Sequence, residues 1–186
     1  VLKKVHRQKE QSFVELLNRL RNKKFTPEDI DTWNERHDSS FDPTDEPGYV
    51  HLTTTNKMAK QRNDYELDRL DGKAWSLKAT SSGSVPSTRM PSESVVGVKA
   101  GAQIMFTTND PGKRWVNGTL GTVIYVRKKG LSKHPVLDVE LENGKEVEVD
   151  RHTWEMFEYS HGGGDGGPKE EPIGSYTQYP IVLAWA

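Results

Sequence analysis

Cysteine is absent from this chain of 186 residues. Its absence excludes disulfide bonds and thiolate metal ligands, and it is compatible with a cytoplasmic protein, which is the location we expect. Long apolar runs are missing as well. A membrane-spanning helix needs about 20 consecutive apolar residues, and no segment approaches that length. We therefore expect no interaction with a membrane.

An excess of charge of either sign is also missing, since 26 Lys and Arg residues stand against 27 Asp and Glu residues. No global positive field attracts polyanions, so any contact with a nucleic acid has to come from local basic patches. The length suits one domain, or one domain with a small insertion. Five Trp, six Tyr and five Phe residues are enough to build a hydrophobic core.

Motifs for catalysis are not found in the sequence. There is no Gly-x-Ser-x-Gly elbow, no Walker A loop, and no pair of His residues at metal-ligand spacing, so we expect neither a metal site nor independent catalysis. The run H-G-G-G-D-G-G-P at 161–168 superficially resembles a phosphate loop. Pro168 stands where that loop needs lysine, and no Ser or Thr follows Lys169. We predict a flexible linker there.

Both ends of the sequence have the character of cut ends. The first residue is Val1 rather than Met, and the last six residues, 181–186, are an apolar run typical of the inside of a β-strand. We therefore expect that the 186 residues are a fragment of a longer protein.

The first third of the chain has helical patterning. Residues 10–22 are predicted to form an amphipathic helix, because apolar residues recur at helical spacing: these are Phe13, Leu16, Leu17 and Leu20. Thr26 and Pro27 are a strong start signal for a second short helix, as a cap and a preorganised first residue. We expect its buried face to carry Ile30 and Trp33.

A strand followed by a helix is predicted over residues 49–70. The β-rich run 49–53 leads through small hydroxyl residues into a helical stretch at 57–70. Free N–H groups and the helix dipole converge at such a helix start, which favours anion binding. Thr53, Thr55 and Asn56 are therefore candidates for contacts with phosphates, and helix capping is a nearly equal alternative.

The segment 101–123 combines strand, turn and cationic signals. Alternating apolar residues predict a half-buried strand at 102–107, which a turn at 109–112 ends. Two cations and an aromatic ring follow, and they are candidates for charge and stacking contacts with a single strand of nucleic acid: these are Lys113, Arg114 and Trp115. The alternative is a solvated turn with Trp115 in the core. Asn117 follows as a further candidate contact, with the junction between two domains as its alternative role.

β-Strand patterning dominates the remainder. Strands are predicted at 74–79, 120–126, 153–159 and 180–186, and a hairpin with a two-residue Asn143-Gly144 turn lies between the second and third of these. The Ser/Pro-rich stretch 80–94 is predicted to be a mobile loop.

Four segments resemble superfamily 1B helicases of the RecD/Pif type. The most specific is GAQIMFTTNDPGKRWVNGTLGTV (101–123), which is similar to the link between a motor domain and its insertion. Residues 1–36 resemble motif IV with its following helices, HLTTTNKMAKQRN (51–63) resembles a strand–Thr-Asn–helix element, and IGSYTQYPIVLAWA (173–186) resembles the strand leading into motif V. Residues 80–94 and the glycine-rich linker are covered least.

The resemblance implies an α/β fold with a partial RecA-like, P-loop NTPase-type parallel sheet. Residues 1–110 would be the first part of the second RecA-like motor domain, 111–172 an SH3-like β-barrel insertion with the linker, and 173–186 the return strand. We expect the parallel sheet to contain residues 49–53, 102–107 and 180–186.

The resemblance also implies a function. The parent protein would be an ATP-dependent DNA helicase that moves along single-stranded DNA, 5′ to 3′, with ATP and Mg²⁺ held against a first RecA-like domain that is absent here. Arg7 matches the motif IV arginine that reaches the γ-phosphate of ATP, which suits bidentate guanidinium chemistry, and Gln8 assists it or caps. The 186 residues alone, without Walker A and B motifs, are expected to be inactive.

Two other classes remain open. One is a non-catalytic SH3- or Tudor-like module that binds a peptide or a nucleic acid, for which an aromatic cage of Trp115, Tyr125 and Tyr159 would be the sign. The other is a purely structural interaction domain, which predicts neither an anion site nor DNA binding.

Overall fold

The computed structural model describes residues 10–41, 48–160 and 169–186. The chain divides into two compact units, residues 1–42 and 43–186. In their described parts, the first is helical and the second is mostly β-sheet.

Residues 10–41, the described part of the first unit, form a pair of helices, α1 (Gln11–Arg21) and α2 (Pro27–Asn34). The predicted start of α2 is confirmed, because the Thr26 hydroxyl accepts from the backbone N–H of Asp29 and the Asp29 carboxylate accepts from the backbone N–H of Thr26. The guanidinium of Arg19 donates two hydrogen bonds of 2.8 and 2.6 Å to the same carboxylate. One ion pair therefore joins the two helices beside the capping box.

The apolar pattern predicts the inward residues of this unit only in part. Leu16 of α1 is buried, but Ile30 of α2 is 45% exposed, so the prediction of Ile30 on a buried face is wrong. Asp29 is buried in its place, because it serves both the cap and Arg19. Trp33 is half-buried, and the centroid of its ring lies 6.0 Å from that of Phe13.

The described residues of the second unit form helix α3 (Asn56–Arg69) and ten strands. In chain order the strands are β1 (Trp75–Lys78), β2 (Thr80–Gly83), β3 (Val95–Val98), β4 (Gln103–Phe106), β5 (Leu120–Lys128), β6 (Pro135–Leu141), β7 (Glu146–Val149), β8 (His152–Ser160), β9 (Lys169–Gln178) and β10 (Ile181–Leu183). A short 3-10 helix, Ser87–Arg89, follows β2.

These strands form three sheets, and every pairing among the described residues is antiparallel. The orders are β1-β3, β10-β4-β5-β6-β7 and β2-β9-β8. A single hydrophobic core joins the first two sheets and lies against α3 through Leu67 and Leu70. The second unit is therefore a small α/β fold with mostly β-structure.

The predicted parallel sheet is wrong for these segments. β10 pairs with β4 in the antiparallel sense, with Ile181 opposite Phe106. Residues 49–53 form no strand; one backbone hydrogen bond of 2.8 Å, from His51 N–H to Trp185 O, joins them to the chain after β10. Apolar alternation shows which face of a strand is buried, but it carries no information on strand direction.

The five-stranded sheet contains residues from both sides of position 110, where the insertion is predicted to begin. β4 lies before that position and β5, β6 and β7 lie after it, yet all four share one ladder. The pairings of residues 48–160 and 169–186 form open sheets and do not close a barrel. Strand β8 leaves the ladder and joins β9 and β2 instead.

Strand β2 lies inside the stretch predicted to be a loop. Two glycines make its pairing with β9 possible: Gly83 has φ +74°, and a Cβ atom added at Gly174 would overlap the carbonyl oxygen of Ser82. Because the two backbones approach this closely, only glycine fits at 174. This requirement is invisible in a search for β-branched residues.

The β6–β7 hairpin is confirmed, but its turn differs from the predicted one. Gly144 N–H donates to Leu141 O at 2.8 Å, and Leu141 N–H donates to Lys145 O at 2.9 Å. Gly144 has φ +76°, while Asn143 is not in the left-handed region. This is a type I turn followed by a glycine bulge, the common three-residue alternative to a two-residue turn.

Candidate nucleic-acid interface

The N-terminus of α3 carries the first group of predicted contact residues. Thr55 is the N-cap, and its hydroxyl oxygen accepts from the backbone N–H of Met58 at 3.3 Å. The Thr53 hydroxyl donates to the Thr55 carbonyl at 3.3 Å. Thr55 and Asn56 are exposed, and Thr53 is half-buried. The predicted cap and helix are confirmed, and the polar groups face solvent.

The electrostatics of this helix start favour an anion. No acidic residue lies in the first turn of α3, so nothing there offsets the positive end of the helix dipole. The exposed Lys57 follows directly. The Thr55 hydroxyl keeps its own proton for donation while its oxygen caps the helix. Together these groups provide what a phosphate oxygen needs: N–H and O–H donors at a positive helix end.

The loop after β4 holds the second predicted group, and there the cation is already paired. Arg114 forms a two-pronged ion pair with Asp110, with N···O distances of 2.9 and 2.7 Å. Its remaining nitrogen donates to the carbonyl oxygen of Glu148 at 2.8 Å. The Arg114 guanidinium lowers the pKa of Asp110 to about 2, and the same pair raises the pKa of Arg114. The Arg114 guanidinium therefore stabilises the loop through contacts within the protein.

The ring of Trp115 belongs to the core. It is 6% exposed and stacks on Phe106 with ring centroids 4.2 Å apart. The guanidinium of Arg114 covers it at 4.4 Å. With one face on Phe106 and a cation against the ring, Trp115 has no free surface for a base. The prediction that it stacks on DNA is not met by this geometry, and its alternative as a core residue describes the structure.

Lys113 and Asn117 are both exposed. Lys113 has φ +57°, and its backbone N–H donates to Asp110 O at 2.9 Å. Among the described residues, no ion pair involves Lys113. The backbone N–H of Asn117 donates to the Asn109 side chain at 2.8 Å, which leaves the Asn117 amide at the surface. Lys113 is thus the cation of this loop that faces solvent unpaired.

Two amide side chains that bind backbone groups, the buried Gln103 and the half-buried Asn63, escape the sequence-based search. Gln103 is 7% exposed and bonds to the backbone of Gly48, Tyr49 and Ala184. Asn63 of α3 bonds to the backbone at Leu183 and Ala186. A signal exists for both, since a polar residue inside an apolar strand or in mid-helix is unfavourable unless it has a partner.

No family model matches the chain. The ATP-dependent DNA helicase Pif1 of Bdellovibrio bacteriovorus is 27% identical over 179 residues, which is 94% of this chain and 37% of that protein. The crystal structure of Bacteroides sp Pif1 in complex with ADP-AlF4 matches with a TM-score of 0.84 at 28% identity, over 98% of this chain and 40% of that chain.

The chain is similar to Pif1 helicases over nearly its whole length. Pif1 is a superfamily 1B helicase, so the resemblance drawn from the four sequence segments is confirmed. Bacteroides Pif1 bound to single-stranded DNA matches with a TM-score of 0.67 at 29% identity, over 98% of this chain and 40% of that chain. This chain spans about two fifths of the length of the proteins that it matches.

Arg7 and Gln8 lie outside the described residues, so their predicted contact with ATP stays a prediction. The aromatic cage of the alternative hypothesis is not built around Trp115, because that ring is buried against Phe106. Tyr125 and Tyr159 are 66% and 67% exposed. In the described parts of the chain, no helix has the length and apolar character of a membrane span.

Proposed function

We propose that the chain is part of the second RecA-like motor domain of an ATP-dependent DNA helicase that moves 5′ to 3′ along single-stranded DNA. Residues 1–110 and 173–186 would belong to the motor domain, and 111–172 to an SH3-like insertion. The observation that carries the proposal is the match to Bacteroides Pif1 over 98% of this chain at a TM-score of 0.84. A solved Bacteroides Pif1 is bound to single-stranded DNA.

The DNA track in this proposal starts at the N-terminus of α3. Thr55 and Asn56 offer exposed donors at a helix end without acidic neighbours in its first turn, and Thr53 positions the backbone before them. Phosphate contacts of this kind hold a strand without reading its sequence, as a translocating motor requires. Lys113 and Asn117 extend the track as exposed groups. Arg114 supports it by holding the loop, and Trp115 by filling the core beneath.

ATP and Mg²⁺ would be bound by the full-length cytoplasmic protein. No Walker A loop occurs in the sequence, so in this proposal the first RecA-like domain supplies the triphosphate site. Arg7 would contribute the guanidinium that contacts the γ-phosphate from this side, with Gln8 next to it. A guanidinium binds phosphate oxygens bidentately and offsets the charge that develops as the phosphoryl group is transferred.

The experiment is a comparison of ATP hydrolysis by the full-length parent protein, with and without single-stranded DNA, for the wild type and Arg7→Ala. We expect DNA-stimulated hydrolysis to fall by about a thousandfold in the variant, the lower end for a lost arginine finger, with nucleotide binding retained. Arg21→Ala, at an exposed arginine of α1, is the matched control and should leave the rate unchanged.

The two possible failures have different meanings. An unchanged rate in Arg7→Ala removes the role assigned to Arg7 and leaves the motor in place. A wild-type parent that folds and binds no DNA, or hydrolyses no ATP in its presence, overturns the proposed function itself. The 186-residue chain alone is expected to bind single-stranded DNA weakly and to hydrolyse no ATP.

A further inference from the structure

Residues 183–186, which are the last residue of β10 and the three that follow it, are held by their backbone from two sides. On one side, Gln103 Nε2 donates to Ala184 O at 2.8 Å, Ala184 N–H donates to Gln103 O at 3.0 Å, and His51 N–H donates to Trp185 O at 2.8 Å. These bonds use the backbone groups of the segment and add to the packing of Leu183 and Trp185 on the core.

The other side of this segment is held by a single side chain, Asn63 of α3. Its Nδ2 donates to Ala186 O at 2.9 Å and to Leu183 O at 3.3 Å. Its Oδ1 accepts from Ala186 N–H at 2.9 Å. One amide thus binds both polar backbone groups of Ala186 at once. Only a side chain with a donor and an acceptor on the same carbon can do this, which is the chemistry of Asn and Gln.

Asn63 sits eight residues after Thr55 on one uninterrupted helix. That spacing is about 12 Å along the axis. The two sites, the candidate phosphate contact and the clamp on Ala186, are therefore opposite parts of one rigid element. A displacement or a stiffening of α3 at its N-terminus is transmitted to Asn63 without any flexible link between them.

The remaining contacts of α3 separate packing from this clamp. Leu67 and Leu70 pack the helix on the core. The buried Glu66 pairs within the helix, with Arg62 at 2.9 Å and Arg69 at 3.2 Å. Loss of the Asn63 amide therefore leaves the apolar packing and the internal ion pairs of the helix in place.

We propose that Asn63 is a positioning residue that couples occupancy of the α3 N-terminus to the placement of residues 183–186. The inference rests on the proposed function, since it takes single-stranded DNA as the ligand at Thr55 and Asn56. In this proposal, the Asn63 side chain is the contact through which DNA binding at the start of α3 affects the position of residues 183–186. Such coupling requires an element that both sites bias, and α3 is that element.

The first test is hydrogen exchange of the peptide 181–186, with and without a dT oligonucleotide. In the wild type we expect bound oligonucleotide to slow exchange at Ala186 by about tenfold, within the usual range of coupling between sites. In Asn63→Ala we expect the same oligonucleotide affinity within twofold and no change in exchange on binding. In the full-length parent, DNA stimulation of ATP hydrolysis should fall by about tenfold while the DNA-free rate is kept.

Two further variants make the result specific. Asn63→Asp keeps the acceptor but places a carboxylate against two carbonyl oxygens, so it should be as uncoupled as Asn63→Ala. Gln61→Ala, at an exposed position on the same helix, should respond to the oligonucleotide as the wild type does. A role limited to helix stability predicts instead that Asn63→Ala is harmless, because alanine favours helix.

The inference is overturned if Asn63→Ala and the wild type show the same exchange response, or if both Asn63 variants fail to fold, which would make Asn63 a folding residue. It is also overturned if Asn63→Ala loses oligonucleotide binding. A wild type that binds no oligonucleotide overturns the proposed function as well, and that outcome is distinguished by the wild-type titration alone.

Discussion

The start of α3 and the loop after β4 carry similar polar residues and use them in opposite ways. At α3, Thr55 and Asn56 are exposed and the first turn has no acid. In the loop, Arg114 is bound to Asp110 and to a backbone carbonyl, and it covers Trp115. The start of α3 has donors available for a ligand, whereas the donors of Arg114 form hydrogen bonds within the protein.

This contrast teaches that residue type alone is a weak guide to a nucleic-acid site. A guanidinium in a two-pronged pair with a carboxylate releases few counterions when a phosphate approaches, so it contributes little to affinity. An uncharged hydroxyl at a helix start has no such competitor. Three experiments, ordered by the size of the expected effect, test whether the two regions differ as described.

The largest effect is expected from Trp115→Ala. Removal of a buried ring stacked on Phe106 should lower the free energy of unfolding by about 3–5 kcal/mol, as measured by urea denaturation. Trp115→Phe keeps an aromatic ring and should lower it much less. Oligonucleotide binding by the folded Trp115→Phe protein should equal that of the wild type. Weaker oligonucleotide binding by a fully folded Trp115→Phe protein would place the ring in the interface. The described difference between the loop and the start of α3 would then be wrong.

Asp110→Asn is expected to have an intermediate effect. A neutral amide cannot hold Arg114 as the carboxylate does, so the free energy of unfolding should fall by about 1–3 kcal/mol at neutral pH. Because the folded pKa of Asp110 is about 2, below its usual 3.8, the stabilisation is present above about pH 4 and is lost as the pH falls toward 2. Denaturation curves at several pH values should show this loss in the wild type.

Asp110→Asn also serves as the control for the denaturation curves of the wild type at several pH values. Asp110→Asn should lack the part of the acid destabilisation that lies between pH 4 and 2, so the two proteins should converge in stability at low pH. Equal stability of both at pH 7 would show that the ion pair does not hold the loop. Arg114 would then be free to contact a phosphate.

The smallest effect on stability is expected from Thr55→Ala. Loss of the N-cap should cost about 1 kcal/mol, and affinity for a dT oligonucleotide should fall about two- to tenfold, as expected for one hydrogen bond. Thr26→Ala removes the cap of α2 and is the matched control. It should cost similar stability and leave the affinity unchanged. An equal loss of affinity in both variants would mean that Thr55 acts only through helix stability.

Local chemistry made much of this fold predictable. The caps at Thr26 and Thr55 lie where the start signals place them, and Gly144 marks a real hairpin. These features depend on residues within four positions of one another. Strand direction, the sheet that a strand joins, and the β2–β9 contact at Gly174 depend on residues about 70 or more positions apart, and periodicity holds no information about them.

The candidate site divides in the same way. Exposure of Thr55 and Asn56 follows from their place at a helix start. The fate of Arg114 had a local signal, because Asp110 lies four residues before it. The burial of Trp115 had no such local signal, because it depends on Phe106, on the other side of the turn at 109–112. Asn63 and Gln103 act on Ala184 and Ala186, more than 80 positions away.

The antiparallel pairing of β10 with β4 has a consequence for synthesis of the protein. Ile181 lies opposite Phe106, so one edge of the five-stranded sheet waits for a partner until about 75 more residues have left the ribosome, some 4–15 s at ordinary elongation rates. During that time Ile104 and Phe106, which are both fully buried in the folded protein, belong to an unpaired edge strand. Slow translation over β5 to β9 prolongs the period in which the nascent chain is open to misassociation.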